Sequence, residues 1–146
     1  MVFHGRWYDE VKAGDSFASS LTVTETHLVL GAGMFGDFNP LHVDEEFAKK
    51  SMFGSRILHG PFTSALVSAA VGNFFAGTAI AYLEHNCRFK APVRAGDTLA
   101  TRWIVTEKLD KPKHQGGIIV MEGQATNQRD EVAIECKGKI LVARKP

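Results

Sequence analysis

Several things are scarce in this chain of 146 residues, and each scarcity excludes something. Charge of one sign is missing: Lys plus Arg total 17 against 16 Asp plus Glu, a formal net charge of +1. A balance that even leaves no electrostatic footprint for nucleic acid or for an anionic membrane surface. There are two cysteines, Cys87 and Cys136, far apart in sequence and without CxxC or Cys/His zinc spacing, so they read as reduced, inert strand residues. No run of roughly 18 apolar residues is present to span a bilayer. The N-terminal Met1-Val2-Phe3-His4-Gly5-Arg6 has neither the apolar stretch nor the cleavage site of a secretory leader. The six histidines make no HxxxH or HExxH pattern. Gly31-Ala32-Gly33 lacks the third glycine and the preceding strand of a dinucleotide fingerprint. The expectation is a cytoplasmic enzyme or binding module with no metal.

Hydrophobic residues make up 45% of the chain and charged residues 23%, an ordinary globular balance. Without repeats or a low-complexity linker, residues 1–146 read as one domain. Residues Ser16 to Thr24 suit a first strand. From Glu25 the period becomes helical, with Leu28, Val29, Ala32 and Phe35; Gly31 and Gly33 weaken that helix by about 1 kcal/mol each relative to alanine. Pro40 biases Asn39 away from helical angles, so the helix stops by Phe38. Asp44 is a good N-cap for a short helix whose first turn carries Glu45 and Glu46.

A second helix is expected from Pro61 to Ala76. Pro61 suits its first position and Gly77 lies just past its end. Its polar residues are few and small (Thr63, Ser64, Ser68, Asn73), which predicts burial on nearly all sides. Four strand-like stretches follow: Ile80–Ala91, Thr98–Glu107, Gly117–Asn127 and Glu131–Val142. Leu109–Gly116, with Lys111, Lys113 and Pro112, reads as an exposed loop. Helices first and strands after give an α+β class, with an antiparallel sheet wrapped around one long buried helix.

Chemistry concentrates at Gly36-Asp37-Phe38-Asn39-Pro40-Leu41-His42. On a continuous helix, residues five apart diverge by about 140°. Pro40 breaks the helix, so the loop Phe38–Leu41 is free to fold back and bring Asp37 and His42 to one point. A carboxylate and an imidazole converging on a water are what acid–base addition needs. The plain alternative is an Asx turn at Asp37 and Asn39 with a half-buried core histidine at 42. Further on, His59-Gly60-Pro61 opens the second helix. The orphan N–H groups of a helix start carry partial positive charge, so Gly60 N–H is aimed to serve as an oxyanion donor; its alternative is a tight entry turn.

Taken together, Gly36-Asp37-Phe38-Asn39-Pro40-Leu41-His42-Val43-Asp44, Phe47-Ala48 and Arg56-Ile57-Leu58-His59-Gly60 closely resemble the MaoC-like family. That family includes the R-specific enoyl-CoA hydratases, with their motif of the form (S/G)-(x)-D-x-N-P-(L/I)-H. The similarity runs over roughly Ser16 to Val142, and no catalytic position departs from the motif. The resemblance implies a hotdog fold and a hydratase or dehydratase that adds water to trans-2-enoyl thioesters, giving (R)-3-hydroxyacyl thioesters, or runs the reverse. It implies Asp37 and His42 as the water-activating pair, Gly60 as donor to the thioester carbonyl, and Asn39 as the support of the loop. Ser68 matches a serine near the family's site, or else bonds back into its own helix. CoA or acyl-carrier-protein thioester is the implied substrate, without a cofactor. A homodimer or higher homo-oligomer is the implied assembly. Met52, Phe53 and Phe62 are candidates for the acyl pocket or for plain packing, and Arg88, Lys90 and Arg94 for CoA phosphates or for solvated charge. Two other functions stay open: a hotdog thioesterase and a non-catalytic acyl-thioester-binding domain.

Overall fold

The computed structural model describes residues 5–146. Met1 to His4, read above for a leader, lie outside the described residues. Strand β1 spans Ser16–Thr22 and helix α1 Glu25–Phe35. Thr24, expected inside the strand, is the extended N-cap of α1. The helix stops because Gly36 takes a left-handed φ of 67°, a conformation that costs glycine little.

The next segment differs from expectation. Pro40 does not sit in a loop but opens a one-turn helix, α2 (Pro40–Val43), with Asn39 as its N-cap. Proline lacks the N–H that a first turn would leave unbonded anyway, and its φ is already helical. Helix α3 (Glu45–Lys49) follows, capped by Asp44, whose Oδ1 accepts the Phe47 N–H at 3.0 Å. Helix α4 spans Gly60–Phe74.

The remaining strands are β2 (Ala79–Phe89), β3 (Thr98–Lys111), β4 (Gly116–Thr126) and β5 (Val132–Ala143). The sheet runs β1-β3-β4-β5-β2, antiparallel at every pairing, with β1 and β2 at its edges. The loop expected at Leu109–Gly116 is mostly strand: Leu109 pairs with Ile118, Asp110 with Gly117 and Lys111 with Gly116. Only Pro112–His114 and Gln115 turn, Gln115 in a left-handed conformation with φ 48°. Of the lysines that marked a loop, Lys111 ends the strand and Lys113 sits in the turn, both exposed.

Helix α4 lies across the sheet. Trp103, fully buried on β3, donates its indole N–H to the Val67 carbonyl at 3.0 Å. Around these two pack Val71, Phe75, Leu99, Ile119, Met121 and Ile134. The expected all-round burial of α4 fails. Thr63, Val67, Ala70 and Val71 are buried, whereas Pro61, Ala65, Ala69 and Gly72 are exposed. One sheet covers one face of a helix, and the uncovered face carries small residues.

Candidate active site

Asp37 follows the left-handed Gly36, where α1 ends, and its Oδ1 accepts the Asn39 N–H at 3.1 Å. Asn39 Oδ1 in turn accepts the Leu41 N–H at 3.0 Å. The Asx turn named above as an alternative is thus present, and it holds the chain that carries the second carboxylate oxygen toward His42. Asp37 Oδ2 stands 3.7 Å from His42 Nε2. The carboxylate is half-exposed and the imidazole largely buried, at 51% and 12%.

The protonation of His42 follows from its other nitrogen. Nδ1 lies 2.7 Å from the Ile57 carbonyl oxygen; a carbonyl only accepts, so Nδ1 carries the proton. In the neutral ring Nε2 is then a lone pair. That lone pair faces Asp37 Oδ2 (3.7 Å), also an acceptor. Two acceptors at that separation suit a donor between them, and a water molecule has two hydrogens to give.

His59, noted in the sequence only as the residue before Gly60, proves to be part of the same group. It is buried, and its ring stacks on His42 with centroids 3.7 Å apart. Its Nε2 donates to the Asp37 backbone carbonyl at 2.9 Å, which fixes the peptide that presents the carboxylate. Among the described residues Nδ1 has no partner, and it faces Gly31, where a Cβ would come within 2.8 Å. Glycine at 31 therefore makes room for the imidazole. The sequence signal available was a histidine and a glycine that helix propensity disfavours, nearly thirty positions apart.

The donor atoms of Asp37, His42 and His59 lie within 4.8 Å of one another, a grouping that invites a metal. The hydrogen bonds oppose it. His59 Nε2 is committed to Asp37 O and His42 Nδ1 to Ile57 O; of the two nitrogens left, His42 Nε2 is aimed at the carboxylate and His59 Nδ1 at Gly31.

Gly60 begins α4 directly after His59. Among the described residues its N–H donates to no protein acceptor, and Pro61 behind it has none to offer. A Cβ at position 60 would meet the Phe89 ring at 3.1 Å. The loop ahead of the helix is pinned by Arg56, which bonds Glu25 at 2.7 and 3.0 Å and Glu45 at 2.8 Å. Ile57 N–H donates to Leu41 O at 3.1 Å, tying α2 to the same loop.

Other candidates fall out differently. The Ser68 hydroxyl donates back to Ala65 O at 2.9 Å. It also lines a cavity of about 240 Å³ with Val71, Gly72, Ala81, Tyr82 and Ile140. Met52 is 92% exposed, and Phe62 packs edge-on against Phe35 and His27. Arg94 is spent on Ser55 Oγ and the Phe53 carbonyl, and Lys90 stands 3.8 Å from Glu135.

The fold and site define a class: a hotdog-fold protein with a carboxylate–imidazole pair beside the N-terminus of its central helix. The family described as MaoC like domain matches residues 10–132. The (R)-specific enoyl-CoA hydratase of Rhodospirillum rubrum is 34% identical over 134 residues, covering 86% of this chain and 92% of that one. Among solved structures, the unliganded R-hydratase of Pseudomonas aeruginosa superposes with a TM-score of 0.84 at 32% identity, covering 95% of this chain and 86% of the other. The MaoC-like dehydratase from Rhodospirillum rubrum gives a TM-score of 0.84 at 26% identity, over 97% and 99%. The chain belongs to the MaoC-like dehydratase family.

Proposed function

We propose that this chain is a hydro-lyase that adds water across a trans-2-enoyl thioester of CoA or acyl-carrier protein, forming the (R)-3-hydroxyacyl thioester, or runs the reverse. The observation that carries the reading is the acceptor pair, His42 Nε2 and Asp37 Oδ2 at 3.7 Å, beside Gly60 at a helix start. Water held between them gives one hydrogen to each. Its oxygen attacks the β-carbon, the pair takes one proton, and the electrons move toward the thioester carbonyl. Gly60 N–H donates to that oxygen as it gathers charge; a donor of this kind typically contributes about 10²–10³ in rate. The pair then returns the proton to the α-carbon on the same face, so water is added with nothing left over.

Asn39 holds the turn and His59 the peptide behind it; Ser68, which lines a cavity two turns further along α4, is the remaining candidate for the substrate site. The reaction as written uses no cofactor, because thioester conjugation already acidifies the α-carbon. The whole chain acts as one domain, and a cytoplasmic setting suits its substrates. No helix of the described residues is long and apolar enough to cross a membrane. Assembly as a homodimer or higher homo-oligomer is supported by edge strand β2, which exposes Ile80, Leu83 and Phe89, and by the uncovered face of α4. Light scattering on the purified chain tests it.

Crotonyl-CoA tests the reaction. Loss of enoyl-thioester absorbance without free thiol is the expected result. Free thiol released in step with the loss of absorbance would convert the reading to a thioesterase. Neither change, with branched and carrier-protein substrates also inert, would leave a binding domain.

A further inference from the structure

We propose that Cys87, Cys136 and His85, with Ser64 in the fourth position, form a site for one divalent zinc-class ion, separate from the Asp37–His42–Gly60 group.

The topology alone brings these residues together. His85 and Cys87 are two apart on β2 and so share a face of the sheet. Cys136 on β5 is the direct partner of Cys87 in the antiparallel register, which puts its side chain on that same face. Helix α4 lies over it and lowers Ser64 onto the group. The donor atoms converge: His85 Nε2 to Ser64 Oγ is 2.8 Å and to Cys87 Sγ 3.1 Å. Cys87 Sγ stands 3.0 Å from Cys136 Sγ and 3.5 Å from Ser64 Oγ. Both cysteines are free, and Cys136 is only 4% exposed.

One imidazole and two thiols around a common point match three zinc donors in type, since soft thiolates with imidazole select such ions, and the Ser64 hydroxyl stands where a fourth, weaker donor or a water would complete the shell. With bonds of about 2.0–2.3 Å, tetrahedral neighbours stand roughly 3.3–3.8 Å apart. Each measured pair therefore opens by less than about 1 Å to admit the ion. Charge closes as well. Binding expels the two thiol protons, so two thiolates, a neutral imidazole and a dication sum to zero, the condition a half-buried site favours.

The partner of the ligand histidine is also in place. Tyr82 Oη lies 2.9 Å from His85 Nδ1, on the side where metal-bound histidines usually donate their other N–H. Such an ion would tie β2, β5 and α4 together one turn beyond Gly60, without touching the reacting atoms.

The test uses reduced, metal-free full-length chain titrated with Zn²⁺ and with Co²⁺. The expected result is one ion per chain, release of about two protons per ion, and protection of both thiols from a thiol reagent. Cobalt is expected to add thiolate charge-transfer absorption and tetrahedral d–d bands. Cys87→Ser, Cys136→Ser and His85→Gln should each weaken binding at least about a hundredfold, and Tyr82→Phe by roughly ten- to a hundredfold. Asp37→Asn should leave it unchanged. No uptake at micromolar metal, binding that survives both cysteine substitutions, or a cobalt spectrum without charge transfer would each overturn the assignment. A serine buried at position 136 endangers folding, so the proton count and thiol protection of the unaltered chain suffice by themselves.

Discussion

Replacing Asp37 by asparagine isolates what the acceptor pair does. The amide oxygen of the new side chain keeps the Asn39 N–H bond, now 3.1 Å, so the turn and the fold survive. The amide nitrogen then occupies the place of Oδ2, 3.7 Å from His42 Nε2. Two acceptors become a donor facing an acceptor, and a closure of about 0.7 Å makes a direct bond that occupies the base and displaces the water. A general acid–base pair is worth about 10²–10⁴ in rate, so we expect kcat to fall about a thousandfold, close to 4 kcal/mol of barrier. KM should move less than about threefold, because on the proposed mechanism the carboxylate meets water rather than acyl chain. His42→Ala should cost a similar factor, and the double variant little more than the worse single one, since the two act as a unit. Hydration of crotonyl-CoA followed by absorbance measures all four proteins. An Asp37→Asn enzyme with more than about a tenth of the original kcat, or additive losses in the double variant, would refute the pair.

Three further outcomes follow from the geometry. In a Phe89→Ala background, which removes the ring 3.1 Å from a Cβ at position 60, Gly60→Pro deletes the N–H whereas Gly60→Ala keeps it. The proline variant should be slower than the alanine variant by about 10²–10³ in kcat. His59→Phe keeps a ring against His42 but loses the donor to Asp37 O at 2.9 Å. Urea melts should show a loss of about 1–3 kcal/mol, with kcat reduced at least about tenfold and KM unmoved. Asp97 is held below the ordinary carboxylate range: burial pushes it up, but the Arg94 N–H, Arg129 and Gln128 outweigh burial. A carboxyl with a lowered folded pKa stabilises above the ordinary range and loses that contribution as pH falls through the lower value. The stability deficit of Asp97→Asn, measured by urea at several pH values, should therefore be full at neutrality and shrink below about pH 4.

The site was legible where it is local. Gly36, Asp37, Asn39 and Pro40 act within a few residues of one another, so the helix stop, the turn and the approach of His42 could all be reasoned from residue chemistry. The α4 start was legible for the same reason. What stayed hidden depends on distant pairing. The β3 arm past Glu107 carries Asp110 and Lys111, residues that read as loop until Gly116 and Gly117 are seen opposite them. The bare face of α4 was misread because an apolar pattern reports what wants burial, not which side a single sheet reaches. Cys87 and Cys136 are 49 positions apart, and only the β2–β5 register makes them neighbours.

The two stacked imidazoles do different work for one reason, which is where each meets a backbone carbonyl. His42 gives Nδ1–H to Ile57 O and so keeps Nε2 as the lone pair facing Asp37, the one the proposed mechanism uses; His59 gives Nε2–H to Asp37 O and, among the described residues, leaves Nδ1 unpartnered against Gly31. An idle buried lone pair is a cost that a core histidine would avoid by making a second bond. It persists because the ring must sit under His42 while holding the peptide of Asp37, a position reached only across a glycine. The motif therefore extends beyond Asp37 and His42: the pair stays in register because α1, through Gly31, and the residue before α4, His59, fix its backbone from below.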